Sequence, residues 1–165
     1  MEIERKFLIT DMNIELEALT KQSKVETIEQ GYVATEPNEV RVRKVVCNYS
    51  CFDVTGYFLT VKSKGTLKRK EIETHIDCKQ YKEMLSICDD VIRKTRYSIG
   101  YEGYVIELDV YSGDLKGLIT AEIEFKSEDE AKQFNPPSWL GIEVTEDLRY
   151  KNKNLLKYRG EILCK

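Results

Sequence analysis

The chain has few histidines, and its cysteines are not arranged in pairs. The sequence therefore predicts neither a zinc site nor a disulfide scaffold. Its one histidine is His75, and its five cysteines are Cys47, Cys51, Cys78, Cys88 and Cys164. No two cysteines form a CxxC pair, and their number is odd. Zinc sites use clustered ligands, and disulfide frameworks use paired cysteines. We therefore expect reduced thiols, as in a cytosolic protein.

The sequence also lacks a long apolar run and an excess of positive charge. No stretch is long and apolar enough to span a membrane, and the N-terminus is acidic from residue 2, unlike a signal peptide. The 26 basic and 29 acidic residues give a net charge of −3, which argues against a general nucleic-acid coat. With 165 residues, 41% of them hydrophobic, we expect one globular domain over residues 1–165, located in the cytoplasm.

What the sequence does contain is a series of short alternating segments that predict β-strands. These segments cover residues 1–8, 25–33, 40–46, 56–63, 68–76, 91–99, 100–111 and 118–125, with a loop or hairpin bend expected at 47–55. Helices are predicted to begin at residues 10–11, at 77–78, after the cap Ser127, and near 152. The pattern indicates an α+β fold of mainly antiparallel strands with helices outside.

One face of most predicted strands carries charge of a single sign, while the other face is apolar. Acidic pairs are Glu2/Glu4, Glu71/Glu73, Glu107/Asp109 and Glu122/Glu124, and basic sets are Arg41/Arg43, Lys62 and Lys94/Arg96. One such pair alone is usually a solvated face of a half-buried sheet. Ordinary solvated sheets mix signs, because like charges on neighbouring strands repel each other. The recurrence therefore indicates a sheet closed on itself, with the charges inside.

An interior of this kind must hold water or a ligand that pairs with both signs of charge. A divalent metal bound to a polyanion is such a ligand. Carboxylates bind hard cations such as Mg²⁺ and Mn²⁺, and arginine and lysine bind phosphate oxygens. The pattern therefore predicts metal-assisted phosphoryl transfer to water.

The order of the charged motifs resembles that of the CYTH superfamily, the triphosphate tunnel metalloenzymes. The resemblance rests on ExExK at 2–6, GYV at 31–33, VRVR at 40–43, LTVK at 59–62, KEIE at 70–73, RKTR at 93–96, ELDVY at 107–111, AEIEF at 121–125 and WLGIEVTEDLRYKN at 139–152. It is closest to small bacterial members, many of which act as inorganic tripolyphosphatases. It implies an eight-stranded, closed antiparallel β-barrel whose tunnel binds the triphosphate.

The resemblance also implies roles for the charged residues. Phosphate would be bound by Lys6, Arg41, Arg43, Lys62, Lys94 and Arg96. A first divalent metal, Mg²⁺ or Mn²⁺, would be bound by Glu2, Glu4, Glu122 and Glu124, with Asp109 nearby. Glu71 and Glu73 would hold a second metal or position the attacking water. The predicted catalytic set is therefore Glu2, Glu4, Lys6, Glu71 and Glu73.

Further residues take one of two roles under the same resemblance. Arg69 and Glu107 would face inward, either as part of the site, with Arg69 contacting substrate, or as balance for charges on neighbouring strands. Tyr32 would lie near the phosphates or simply be packed. The last helix, with Lys151 and Lys153, would plug one mouth of the tunnel, and the long segment Val45–Val54 would reshape a mouth.

The leading expectation for function is hydrolysis of inorganic tripolyphosphate, or a related triphosphate, by metal-activated water. Relatives also act on thiamine triphosphate, nucleoside triphosphates or an RNA 5′ end, or cyclise ATP. The only tryptophan, Trp139, is expected in the core, and the lack of an aromatic clamp favours the inorganic substrate. The alternatives are a non-catalytic polyphosphate- or nucleotide-binding module, which would not need the acidic clusters, and an open sheet whose solvated face binds a protein partner. We expect no membrane partner, and no nucleic acid beyond an RNA 5′ end.

Overall fold

The computed structural model describes residues 2–48, 52–65 and 68–164, except for the side chains of Glu2, Ile14 and Lys68. The strands in these ranges are β1 Glu2–Leu8, β2 Lys24–Ala34, β3 Glu39–Asn48, β4 Asp53–Lys62, β5 Lys68–Arg69, β6 Glu71–His75, β7 Val91–Tyr101, β8 Tyr104–Ser112, β9 Ile119–Glu124 and β10 Ile142–Glu143. The α-helices are α1 Ile14–Lys21, α2 Cys78–Leu85, α3 Glu128–Gln133 and α4 Arg159–Leu163. The predicted strands are confirmed, and so is the α+β class.

All strand pairs are antiparallel, as the alternating segments predict. The hydrogen-bonded order is β10-β1-β9-β8-β7-β2-β3-β4-β6, and β5 pairs with β1 outside this order. The turn between β7 and β8 consists of Glu102 and Gly103, both with positive φ, as a tight two-residue hairpin requires.

The expected closed, eight-stranded barrel is not observed in that form. In the described part of the chain the ladder stays open, with β10 and β6 at its ends. The segment 68–75 nevertheless bridges the two sides, because β5 pairs with β1 while β6 pairs with β4. The segment divides at Lys70. The Lys70 N–H donates to Ser63 Oγ, and the Lys70 carbonyl accepts the Ser63 N–H, both at 2.9 Å. Lys70 is therefore hydrogen-bonded to the residue that follows β4, although it lies between the two short strands.

Helices and turns cover the apolar outer face of β1, β9 and β8. The core there includes Phe7, Leu108, Ile123, Phe134 and Trp139, all at most 6% exposed. Helix α3 lies against β1 and α1 against β7. Helix α2 approaches β2 closely at Gly31, where a Cβ would lie 2.8 Å from the Cys88 Sγ atom. Apolar outer faces under helices, as the sequence predicts, are thus confirmed for these strands.

A second apolar cluster closes one end of the inner face. Leu8, Ile92 and Tyr111 share the inner face with the charged residues of their strands, and they pack with Tyr150 and Leu155 of the C-terminal segment. The inner face is thus charged along most of its length but apolar at this end. The C-terminal segment covers that end, where the sequence predicts a plug.

The starts of two helices were predicted wrongly, and the segment 47–55 contains more strand than predicted. Helix α1 begins after Asn13 rather than at residues 10–11, because the Asn13 side chain accepts the Leu16 N–H at 2.9 Å. Where a loop or hairpin bend was predicted, residues 47–48 and 53–55 are strand, since β3 and β4 stay paired out to Asn48 and Asp53, and residues 49–51 lie outside the described residues. The last helix is α4, after a 3₁₀ turn at Asn152–Asn154, because asparagine is a poor helix former. Within the described ranges, no helix has the length and apolar character needed to cross a membrane.

Candidate active site

The charged inner face lines a cavity of about 410 Å³. Side chains alternate between the two faces of a strand, so residues at every second position point into the same space. The charged residues lining it are Glu4, Arg41, Arg43, Lys62, Glu71, Arg96, Glu107, Glu122, Glu124, Lys126 and Glu130. Gly103, Tyr104 and Val105, from the β7–β8 hairpin, line it as well. The cavity thus brings together most residues that the sequence assigns to the site.

One wall of the cavity is acidic and is formed by β1, β9 and β8. Glu4 lies directly opposite Glu124 in the β1–β9 register, and Glu122 lies opposite Glu107 in the β9–β8 register. Like charges at directly opposed positions destabilise a sheet unless cations offset them. Among the described residues, Glu124 has no ion pair or side-chain hydrogen bond, and it is exposed. The acidic wall is therefore a place where cations are needed.

The opposite wall is basic and is formed by β3 and β4. It carries Arg41, Arg43 and Lys62. Arg43 Nη2 lies 2.9 Å from Glu73 Oε2, and Lys62 Nζ lies 2.6 Å from Glu71 Oε2, so β6 supplies a carboxylate to each.

Arg41 differs from its neighbours, because within the described ranges no carboxylate lies at ion-pair distance from it. Its one side-chain hydrogen bond is a 3.4 Å contact from Nη2 to Thr60 Oγ1, and its Nε has no acceptor. The side chain is only 8% exposed. Arg41 is thus a buried cation with unused donors beside an open cavity.

Arg96 connects the acidic strands by binding three carboxylates. Its Nε and Nη2 atoms lie 2.7 and 2.8 Å from the two oxygens of Asp109, and Nη2 lies 3.1 Å from Glu122 Oε2. Its Nη1 also donates to Glu107. Lys94 donates to Asp109 from the other side, and both residues are almost fully buried. Asp109 and Lys94 thus lie behind the cavity wall, although the sequence groups them with metal and phosphate ligands.

Lys6 lies at the closed end of the cavity, behind the lining residues Glu122 and Asn152. Its Nζ atom is 2.9 Å from Glu122 Oε1 and 3.2 Å from Asn152 Oδ1. Asn152 also accepts the Tyr111 hydroxyl at 2.8 Å. The sequence pattern predicts no role for Asn152. The only signal for it was its place at the end of the RYKN motif.

The electrostatic environment acts in opposite directions on the pKa values of Glu122 and Glu107. Burial acts to raise the pKa of Glu122, but the cations Lys6, Lys94 and Arg96 outweigh burial and hold that pKa well below its usual range. Burial raises the pKa of Glu107, and the attraction of Arg96 only partly offsets it. Glu122 is therefore an anion at neutral pH, as a metal ligand must be.

The remaining predicted residues lie around the same space. Arg69 Nη2 is 2.8 Å from Glu4 Oε1, and its Nη1 is 3.5 Å from Glu39 Oε1, so it bridges acidic residues of β1 and β3. Tyr32 packs against the apolar cluster at the closed end and accepts a 3.3 Å hydrogen bond from Gln30. The backbone of Glu2 belongs to β1, but its side chain lies outside what the structure describes.

The C-terminal segment is fastened to the rim of the sheet on both sides of Asn152. Lys151 Nζ donates to the carbonyl of Gly65. Lys153 Nζ donates to the Thr35 carbonyl at 3.0 Å and pairs with Glu36 at 3.2 Å. These contacts hold the segment over the closed end of the cavity.

The donor atoms of the acidic wall fit a hard divalent cation. Glu4, Glu122 and Glu124 present carboxylate oxygens on two adjacent strands, and Mg²⁺ and Mn²⁺ prefer oxygen ligands. Across the described side chains, no three carboxylates already converge as a metal cluster. Glu4 and Glu122 are paired with Arg69 and with Lys6 and Arg96 instead. The wall thus has suitable ligands, and internal cations now pair with Glu4 and Glu122.

Comparisons with known proteins agree with this geometry. An inorganic triphosphatase of Nitrosomonas europaea is 43% identical over 159 residues, covering 93% of this chain and 95% of that protein. An inorganic triphosphatase of Acetivibrio thermocellus is 38% identical over 160 residues, covering 94% and 93%. A crystal structure of an inorganic triphosphatase has a TM-score of 0.64 at 38% identity and covers 94% of each chain. Residues 1–157 match the CYTH domain, and the chain therefore belongs to the CYTH domain family.

Proposed function

We propose that this chain hydrolyses inorganic tripolyphosphate with the aid of a divalent metal bound in the charged cavity. The observation that carries the proposal is the separation of charge. Carboxylates on β1, β9 and β8 face cations on β3 and β4 across a cavity of about 410 Å³. A metal–polyphosphate complex has the matching arrangement, with a cation on one side and phosphate oxygens on the other. Relatives named inorganic triphosphatase, at 43% and 38% identity, support the choice of substrate.

The proposal includes the finer expectations drawn from the sequence. The metal is Mg²⁺ or Mn²⁺, residues 1–165 form one catalytic domain, and the enzyme works in the cytoplasm. The functional shape is a tunnel-like barrel, in which the segment 68–75 bridges β1 and β4. One end is covered by the C-terminal segment, so the substrate enters at the end lined by Tyr104 and Val105.

The basic residues bind and orient the phosphates. Arg41 and Arg43 have Nε donors without acceptors, and these donors suit phosphate oxygens. Lys62 and Arg96 add positive charge on adjoining parts of the cavity wall. Lys6 and Lys94 add positive charge from behind the residues that line the cavity. Fixed cations around the reacting group stabilise the negative charge that develops during phosphoryl transfer.

The acidic residues have two roles in the proposal. Glu2, Glu4, Glu122 and Glu124 would hold the metal, with Asp109 supporting them through Arg96. When bound, the metal supplies charge neutralisation and activates a water molecule. Glu73 accepts hydrogen bonds from Arg43 and Thr60, both at 2.9 Å, and it would orient the attacking water. Glu71, paired with Lys62, would assist it or help to hold a second metal.

Phosphate release tests the proposal directly. Tripolyphosphate, ATP, thiamine triphosphate and pyrophosphate would each be supplied with Mg²⁺, Mn²⁺ or EDTA. We expect fast release from tripolyphosphate with metal and none with EDTA. Glu4→Gln should abolish turnover but leave tripolyphosphate binding measurable by calorimetry. The matched control is Glu83→Gln, at an exposed residue of α2 whose one ion pair within the described ranges, with Lys79, spans 3.9 Å.

The outcomes separate the competing functions. Binding of tripolyphosphate without turnover under any metal condition would indicate the non-catalytic binding module. If neither metal nor tripolyphosphate raised the melting temperature, the charged face would instead belong to an open sheet with another partner. Full turnover by Glu4→Gln would contradict the metal role of the acidic wall.

A further inference from the structure

The closed end of the cavity contains an amide whose orientation is fixed by its neighbours. Asn152 Oδ1 accepts hydrogen bonds from Lys6 Nζ at 3.2 Å and from the Tyr111 hydroxyl at 2.8 Å. An ammonium group has only donors, so the amide oxygen must face Lys6. If the amide were reversed, two donors would point at each other. The orientation of Asn152 is therefore decided by chemistry.

The amide nitrogen must then point elsewhere, and Asn152 lines the cavity. Within the described ranges Nδ2 has no hydrogen-bond acceptor. It is not among the buried atoms that lack a partner, so it is accessible to solvent. Two N–H donors are therefore accessible at the cavity wall, beside the Lys6 ammonium. A neutral, fixed donor pair of this kind suits a phosphoryl oxygen.

The surroundings make this donor pair rigid. Lys151 and Lys153 fasten the backbone on either side of Asn152 to the carbonyls of Gly65 and Thr35. Tyr111 is only 2% exposed, so its hydroxyl is held in place by packing. A purely structural asparagine would need none of its N–H groups to face an open cavity.

We infer that Asn152 is a substrate-binding residue that donates its side-chain N–H groups to a phosphoryl oxygen at the closed end of the cavity, while its oxygen positions Lys6. The inference rests on the proposed function for the identity of the ligand, tripolyphosphate. It also gives the C-terminal segment a part in substrate recognition, beyond covering the end of the sheet. Tyr111 then acts as a positioning residue, since it reaches the substrate only through Asn152.

Three variants test the inference, with tripolyphosphate as the probe. Asn152→Ala should weaken tripolyphosphate binding about tenfold, the effect of one lost hydrogen-bonding group. Asn152→Asp keeps the oxygen that Lys6 and Tyr111 need but loses the N–H donors, so it should also weaken binding at least tenfold. Tyr111→Phe should raise KM severalfold with little change in kcat, because it loosens the amide without removing it.

The matched control is Asn154→Asp, which adds the same charge on the same 3₁₀ turn to a residue outside the cavity lining. It also removes the Nδ2 donor to the Leu148 carbonyl at 2.8 Å, so its melting temperature is compared as well. We expect its affinity for tripolyphosphate to match that of the unmodified protein. Binding would be measured by calorimetry in EDTA, alongside turnover with metal. The neutral variant decides the outcome: if Asn152 only fastened the segment, Asn152→Ala would lower the melting temperature but not the affinity for tripolyphosphate.

The two proposals fail in different ways. If the unmodified chain turns over tripolyphosphate and Asn152→Ala and Asn152→Asp both bind it normally, the role of Asn152 is wrong and the proposed function stands. If the unmodified chain binds tripolyphosphate without turnover and both variants bind it weakly, the hydrolase is wrong and the role of Asn152 stands. Equal weakening by Asn154→Asp would overturn the inference in favour of a general charge effect.

Discussion

Arg41 is predicted to be essential for binding the substrate yet costly for the stability of the fold. The residue is 8% exposed, and among the described residues its only side-chain hydrogen bond is the 3.4 Å contact with Thr60. Burial lowers the pKa of Arg43, and the neighbouring Arg41 lowers it further, so the two cations repel each other. A buried charge without a partner destabilises a folded protein, whereas an apolar side chain of similar length does not.

The variant Arg41→Met should therefore change stability and binding in opposite directions. Removing the unpaired charge should raise the free energy of unfolding by about 1 kcal/mol, or the melting temperature by about 2–4 °C. Losing charge-assisted hydrogen bonds to phosphate costs about 1.5–3 kcal/mol, which is a loss of about 10- to 100-fold in affinity. Arg69→Met is the matched control, because Arg69 is paired with Glu4 and Glu39. Breaking those pairs should instead lower stability by about 3 kcal/mol.

Thermal unfolding in EDTA, with and without tripolyphosphate, measures both effects in one experiment. The unmodified protein should melt at a higher temperature with tripolyphosphate, and Arg41→Met should lose most of that increase. The reasoning is refuted if Arg41→Met is as unstable as Arg69→Met without ligand and still gains the full increase with it. That result would mean that Arg41 is a structural cation whose charge is balanced at longer range.

Two further predictions concern residues outside the cavity lining. Burial lowers the pKa of Lys94 to about 8, so between about pH 8 and pH 10.5 the unfolded chain holds more protons and this residue makes stability rise with pH. The slope is at most about 1.4 kcal/mol per pH unit, and Lys94→Met should remove it in urea unfolding compared at pH 8 and pH 10. Arg5 binds Glu143 at 2.8 and 2.6 Å and the carbonyls of Ala131 and Phe134 at 2.9 and 3.1 Å on the outer face. Arg5→Ala should lower the free energy of unfolding by about 2–3 kcal/mol and leave the KM for tripolyphosphate unchanged. A variant with normal stability and a raised KM would contradict this prediction.

The charged faces could be predicted from the sequence because strand geometry has a period of two. Once residues 2–8 form a strand, Glu4 and Lys6 must share a face, whatever the rest of the chain does. The same holds for Arg41 and Arg43 in β3. Which strands become neighbours depends on contacts between residues far apart in sequence, so the local pattern cannot predict it. Here the order of the charged motifs, through the family resemblance, predicted that the strands surround one cavity. The resemblance implied the tunnel, and the structure places most of its residues around one cavity.

The partners of these residues could not be predicted, because they depend on register across strands far apart in sequence. Arg69 pairs with Glu4, 65 positions away, and this contact exists only because β5 turns back onto β1. Asn152 was missed because its segment has no alternation and forms 3₁₀ turns, so nothing in the local pattern shows where the side chain points. The ends of β3 and β4 were also missed, because the side-chain hydrogen bond from Asn48 to Asp53, at 3.0 Å, depends on strand pairing that the local pattern does not show.

The internal ion pairs imply that metal and substrate depend on each other in this site. Glu122 now binds Lys6 and Arg96, and Glu4 binds Arg69. If Glu4 and Glu122 held a divalent cation, their present partners Arg69, Lys6 and Arg96 would be free to bind phosphate. Phosphate bound to those basic groups would likewise free the carboxylates. Because such coupling is reciprocal, each ligand should strengthen the binding of the other, and the ion pairs keep the charged cavity stable while both are absent.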